Sequence, residues 1–185
     1  MKSKYKTVDL IYMAIGAALI VVCSWVTVPL MVPFTLQTFA VFTVIELLGG
    51  KKGFLSVLVY ILLGAVGLPV FSGFKGGIGV LFGTTGGYII GFIFIALIYQ
   101  LCEKLFGRKI FVRVAAMVAG LIVCYAFGTA WFMIVYTRNT GAIDIGTALG
   151  WCVIPFIIPD LIKLGLAMLV STRLAAAIKL NPASS

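Results

Sequence analysis

Six apolar runs decide what this chain can fold into. They cover residues 8–28, 35–49, 54–68, 85–105, 114–136 and 148–174, and no charged residue stands between Arg113 and Arg138. About 20 apolar residues is the length of a helix that spans a hydrocarbon layer. A soluble surface needs roughly a quarter of all residues to be charged. Here the share is 10%, with 63% hydrophobic residues and a mean hydropathy of +1.22. Six such spans use about 120 positions of the chain, which leaves tails and short loops. The sequence therefore predicts an all-α integral membrane protein, a single six-helix membrane domain over 1–185. The basic opening Met1-Lys2-Ser3-Lys4-Tyr5-Lys6 leads directly into the first run without a small-residue cleavage site, so that run is expected to be a spanning helix.

The basic residues predict the orientation. With a cytoplasmic N-terminus, the inner side holds Lys2, Lys4, Lys6, Lys51, Lys52, Lys104, Arg108, Lys109, Arg113, Arg173 and Lys179, while the outer side holds only Lys75 and Arg138. This positive-inside bias supports an even number of spans with both termini cytoplasmic. The net charge of +9 thus reports topology, and nucleic-acid binding is not implied. Four cysteines without a CxxC, and no histidine, make metal chemistry unexpected. Cys23 and Cys152 could both lie near the outer face and form a disulfide, but buried cysteine usually serves as a small hydrophobe.

Two outer connections, 29–34 and 69–83, are apolar although they should meet water. They are expected to fold back over the bundle as lids or pocket walls, or else to anchor at the membrane surface. Asp160 and Lys163 lie inside the sixth run, in Pro155-Phe156-Ile157-Ile158-Pro159-Asp160-Leu161-Ile162-Lys163. Each charge at mid-bilayer costs roughly 2.5–3.5 kcal/mol on insertion scales, so such residues face the interior and mark a functional site. Their spacing of three places them on one helix face. The alternative is an ion pair that only holds helices together. Pro155 and Pro159 weaken the surrounding helix. Gln37, in Pro33-Phe34-Thr35-Leu36-Gln37-Thr38-Phe39, offers a neutral hydrogen bonder among aromatics, and Tyr88 follows the glycine-rich stretch Gly83-Thr84-Thr85-Gly86-Gly87. No GxxxxGK[ST] and no strand-linked GxGxxG occurs, so the chain has no visible means of holding ATP. Glu46 has Lys51 and Lys52 within reach in sequence and is expected to be satisfied there. Ala14 and Ala18 bracket Gly16 and Ala17 as a small-residue stripe on which another helix can pack, inside the chain or outside it.

These stretches resemble the BioY family, the biotin-specific substrate-binding components of energy-coupling factor (ECF) transporters. The likeness is carried by Val32-Pro33-Phe34-Thr35-Leu36-Gln37-Thr38-Phe39, by Gly64-Ala65-Val66-Gly67-Leu68-Pro69-Val70-Phe71-Ser72-Gly73-Phe74, by Gly76-Gly77-Ile78-Gly79-Val80-Leu81-Phe82-Gly83-Thr84-Thr85-Gly86-Gly87-Tyr88 and by Pro159-Asp160-Leu161-Ile162-Lys163. Thr84 stands where proline is expected. The resemblance implies a six-helix bundle in the plasma membrane of a prokaryote, with biotin as ligand and no cofactor. It further implies that Ala14 and Ala18 contact a transmembrane coupling protein, and that two cytoplasmic ATPases supply energy.

The residues expected to bind substrate are Asp160, Lys163, Gln37, Phe34, Thr35, Phe71, Gly79, Tyr88 and Arg138; none is expected to be catalytic. Asp160 and Lys163 stand too close together to hold both ends of an extended biotin. Both are therefore expected at the ureido ring, Asp160 accepting from an N–H and Lys163 donating to the oxygen. Phe34, Phe71 and Tyr88 would pack on the ring and chain, and Gln37 would add a hydrogen bond. The carboxylate would point outward to backbone N–H groups of the glycine-rich loop, to Lys75 or to Arg138. Two other classes compete. A stand-alone secondary transporter of a small vitamin-like molecule could use Asp160 for proton coupling, though the chain is short and lacks an inverted repeat. An intramembrane enzyme would have little acid–base machinery to work with.

Overall fold

A computed structural model describes residues 6–177. Lys2, Lys4 and Lys179, counted to the inner side above, lie outside the described residues. The chain forms α1 (Thr7–Trp25), a hairpin of β1 (Thr27–Val28) and β2 (Phe34–Thr35), α2 (Gln37–Leu48), α3 (Gly50–Ala65), a 3-10 turn at Ser72–Phe74, α4 (Ile78–Phe82), α5 (Gly86–Phe106), α6 (Ile110–Asn139), α7 (Ile145–Cys152) and α8 (Ile154–Ala177). Four stretches are long and apolar enough to cross a membrane: α1, α5, α6 and the α7–α8 run Ile145–Ala177. With the shorter α2 and α3 between them, this is the architecture of a multi-pass membrane protein.

The sequence places breaks where lysine, glycine or proline collect, and the structure moves some of them. The connection expected between 49 and 54 is a corner of one residue. Gly49 takes φ +83, and α3 starts at Gly50. Gly50 and Gly53 then lie so close to their neighbours that a Cβ would sit 2.4 Å from the Gln100 Cα and 2.7 Å from the Ile45 Cα. The last run, expected over 148–174, is two helices that meet at Val153. Asp144 caps α7 by accepting from the Thr147 backbone at 2.8 Å and from its hydroxyl at 3.1 Å. Those bonds, the backbone one first, hold the exposed Asp144 carboxyl below its ordinary pKa. Pro155 falls in the first turn of α8, where its missing N–H costs little, while Pro159 is carried inside the helix.

The bundle is organised on α2. Nine of its twelve residues are buried, so although it is short it forms the centre rather than a side. It packs most heavily on α8, and also on α3 and α1; α3 packs on α5, and α5 on α6. Gly16 and Ala17 turn inward, with a Cβ on Gly16 meeting Val44 at 2.9 Å and Ser56 at 3.0 Å. Ala14 and Ala18 face outward on α1 beside the exposed Ile11, Ile15 and Val22.

Glu46, at the C-terminal end of α2, is 3% exposed, and its partners reach it from α5 and α6 as well as from its own sequence neighbourhood's end of the bundle. Its carboxylate pairs with Arg113 and accepts from the Tyr99 hydroxyl at 2.9 Å, while Arg108 donates to its backbone carbonyl at 2.7 Å. Lys52 instead pairs with Asp9 at 2.9 Å. Arg108 and Arg113 bond to Glu46, Glu103 accepts from the Gly50 amide and pairs with Arg108, and Lys52 pairs with Asp9, so the described basic residues 6, 51, 52, 104, 108, 109 and 113 gather at the Glu46 end.

Candidate functional site

At the opposite end, α2 begins beside α8, and the two enclose a polar cluster in an apolar surround. Asp160 is 2% exposed and Lys163 6%. The Lys163 ammonium donates to Asp160 Oδ1 at 2.9 Å, to the Thr35 carbonyl at 2.7 Å and to Thr38 Oγ1 at 3.1 Å. Thr38 in turn donates to the same Asp160 oxygen at 2.9 Å, and the Tyr125 hydroxyl donates to Oδ2 at 2.6 Å. Three donors of an ammonium and most of a carboxylate are thus occupied, which is what a charge pair this deep requires. The Phe34 ring lies under the ammonium, 4.1 Å from Nζ to its centroid, and stacks on Phe156 at 6.2 Å.

These groups line a cavity of about 280 Å³. Thr35, Gln37, Thr38, Phe71, Tyr88, Tyr125, Phe156, Asp160 and Lys163 contribute to it. Its rim comes from the hairpin tip Leu30, Met31, Val32 and Pro33, with Ser72, Lys75, Thr84 and Thr85. The wall is mostly carbon with a few directed polar groups, the common design of a small-molecule pocket. Gln37 donates through Nε2 to the Tyr60 hydroxyl at 2.8 Å, and Tyr88 shares a 2.8 Å bond with Thr129.

Six of the residues expected from sequence meet here: Thr35, Gln37, Phe71, Tyr88, Asp160 and Lys163. Phe34 reaches the site as the aromatic face below Lys163. Gly79, exposed in the short α4, and Arg138, exposed in the last turn of α6, are not among the lining residues. Thr38 and Tyr125 join the site without standing out in the sequence. The signal for Tyr125 was present, since a phenol in the middle of an uncharged run must find a partner for its hydroxyl. The two apolar connections do fold toward the cavity. Val32 is buried against Phe132, Cys152 and Phe156, although Leu30 and Met31 stay exposed.

Phe71 shows how the wall is fixed. It is 1% exposed, meets Tyr60 edge-on at 5.6 Å, and rests on Gly64, where a Cβ would fall 2.0 Å from its ring. Gly64→Ala must push Phe71 into the cavity. Overpacking of this kind costs about 1–3 kcal/mol, so a lower thermal midpoint is expected together with weaker ligand binding.

The chain matches the model of the BioY family over residues 1–180. It is 46% identical over 168 residues to a protein of Thermotoga maritima named biotin transporter BioY, covering 90% of this chain and 95% of that one. It is 43% identical over 143 residues to a probable biotin transporter BioY of Pyrococcus horikoshii, covering 77% and 80%. Among solved structures, the S-component for biotin from an ECF-type ABC transporter superposes with a TM-score of 0.80 at 29% identity, covering 95% of each chain.

Proposed function

This chain belongs to the BioY family, and on that footing we propose that it is the biotin-binding S component of an ECF-type uptake transporter. The observation that carries the reading is the buried Asp160–Lys163 pair at the floor of a largely apolar cavity. The ureido ring lies on that floor. One N–H bonds to Asp160, and the ring oxygen takes a Lys163 donor now held by the Thr35 carbonyl or Thr38 hydroxyl. Charge-assisted bonds in a dry site give affinity and reject rings that lack the matching N–H and oxygen. Phe34, Phe71 and Tyr88 pack on the ring and its chain, and Gln37 contributes a neutral hydrogen bond. Gly79 and the hairpin tip belong to the loops that close over the ligand.

The single domain spans the plasma membrane of a prokaryote six times, α2 and α3 completing the count, with both termini inside and the cavity facing out. The exposed Ala14–Ala18 face of α1 receives a transmembrane coupling protein, and two cytoplasmic ATPases drive release. The clustering of basic residues at the Glu46 end supports this orientation.

Mass spectrometry of small molecules released from the purified, detergent-solubilised protein tests the ligand: biotin is expected, and a different vitamin would replace it. Uptake by ATP-depleted vesicles containing only this chain would instead favour a secondary transporter. Ala14→Trp or Ala18→Trp is expected to abolish uptake by the assembled transporter while biotin affinity stays within about threefold, since a bulky ring on an exposed face blocks docking and little else. Loss of binding in those variants would place the stripe in internal packing.

A further inference from the structure

The cavity contains one charged group that the floor does not explain. Its charged lining residues are Asp160, Lys163 and Lys75, a formal sum of +1. Asp160 and Lys163 balance each other at 2.9 Å, and all three Lys163 donors are already engaged. The uncompensated charge is therefore that of Lys75. It makes no ion pair among the described residues. It is exposed where the floor pair is buried, which puts it at the mouth.

The backbone that carries Lys75 is held in place. The Phe71 amide donates to the Lys75 carbonyl at 2.9 Å and closes the turn. Inside that turn Gly73 and Phe74 take φ +70 and +57. A phenylalanine keeps the left-handed conformation only where its surroundings over-determine it. Phe74 stacks on Trp25 at 4.9 Å, and Trp25 donates to the Pro69 carbonyl at 2.9 Å. Ser24 donates to the Val70 carbonyl at 2.6 Å, and Ser72 to the Thr27 hydroxyl at 3.0 Å. A flexible cationic side chain thus leaves a fixed point on the rim.

Building on the biotin reading, we propose that Lys75 recognises the ligand's carboxylate, so that this site selects the free monoanionic acid over neutral amides, esters and alcohols of the same ring system. The ring enters first and settles on a floor of zero net charge. The acyl chain follows the aromatic wall, and the carboxylate ends beside the only unbalanced cation of the lining. Charge complementarity of one against one favours the anion and speeds its capture.

Titration calorimetry of the full chain with biotin and biotin amide, at low and high salt, tests this. Wild type is expected to prefer the acid, with a preference that falls as salt rises. Lys75→Ala should weaken biotin about fivefold to tenfold and leave the amide unchanged. Lys75→Glu should weaken biotin further, Lys75→Arg should restore the preference, and Lys104→Ala, at the remote end, should alter nothing. An acid-to-amide ratio that is the same in wild type and Lys75→Ala overturns the proposal. Equal loss of acid and amide in Lys75→Ala overturns it too, since that reports a damaged loop. Wild-type protein that binds neither compound overturns the biotin reading and this inference with it.

Discussion

Lys163→Ala is expected to abolish high-affinity biotin binding and to weaken biotinol, with the carboxylate reduced, by the same factor. Truncating one partner of a buried, hydrogen-bonded charge pair costs about 3 kcal/mol or more, which is over a hundredfold in affinity. The lost ammonium also leaves the Thr35 carbonyl, Thr38 and Asp160 without its three bonds. Asp160→Asn should act in the same direction, because Thr38 and Tyr125 both donate to that carboxylate. Calorimetry with the two ligands checks the assignment of ends. If Lys163→Ala discriminates between biotin and biotinol, the ammonium serves the carboxylate and the ring lies the other way round. If the pair only braces α8 against α2, Lys163→Ala will lower the thermal midpoint without changing affinity.

Glu46→Gln is expected to give the largest loss of stability and little loss of affinity. Glu46 is 3% exposed and compensates Arg113, which keeps only 21% of its side chain accessible. The amide would leave that cation unbalanced, where breaking a buried pair costs about 3 kcal/mol. In a chain of this size that lowers the thermal midpoint by roughly 6–12 °C. Biotin affinity should stay within about twofold, since the cavity is built at the other end of α2. Adding Arg113→Met should recover part of the loss, because the second change removes the orphaned charge. An unaltered midpoint in Glu46→Gln would mean that the Arg108 bond to the Glu46 carbonyl carries the corner alone.

The long helices were legible because each is an apolar run with charges at its ends. The run expected over 85–105 corresponds to α5 shifted by one residue, and the run over 114–136 to α6, which extends further at both ends, from Ile110 to Asn139. The α2–α3 corner was not legible. Gly-Lys-Lys-Gly reads as a loop, but one glycine in a left-handed conformation makes the turn, and the next two glycines let helices touch. The short α4 was hidden in a glycine-rich stretch that shows no helical period. In the site, Asp160 and Lys163 announced themselves by the cost of a charge in an apolar run. Thr38 and Tyr125 did not, because hydroxyls are cheap in sequence and their role depends on where α2 and α6 are placed relative to α8. Glu46 shows the same limit, since its partners lie 53 and 67 positions away.

The burial of α2 has an electrical consequence. Between Thr38 and Glu46 lie Ala40, Val41, Phe42, Val44 and Ile45, none more than 2% exposed. The one hydroxyl among them, on Thr43, donates to the Phe39 carbonyl at 2.8 Å. Packed against this stretch are Val57, Tyr60, Phe92, Ile95 and Ala96, also buried. A stray sodium ion or proton that entered the cup would have to shed its water and cross two helical turns of hydrocarbon, a barrier of tens of kcal/mol. The buried middle of α2 therefore separates the cavity from the charged Glu46 end by an apolar block that an ion has no means of crossing along this helix.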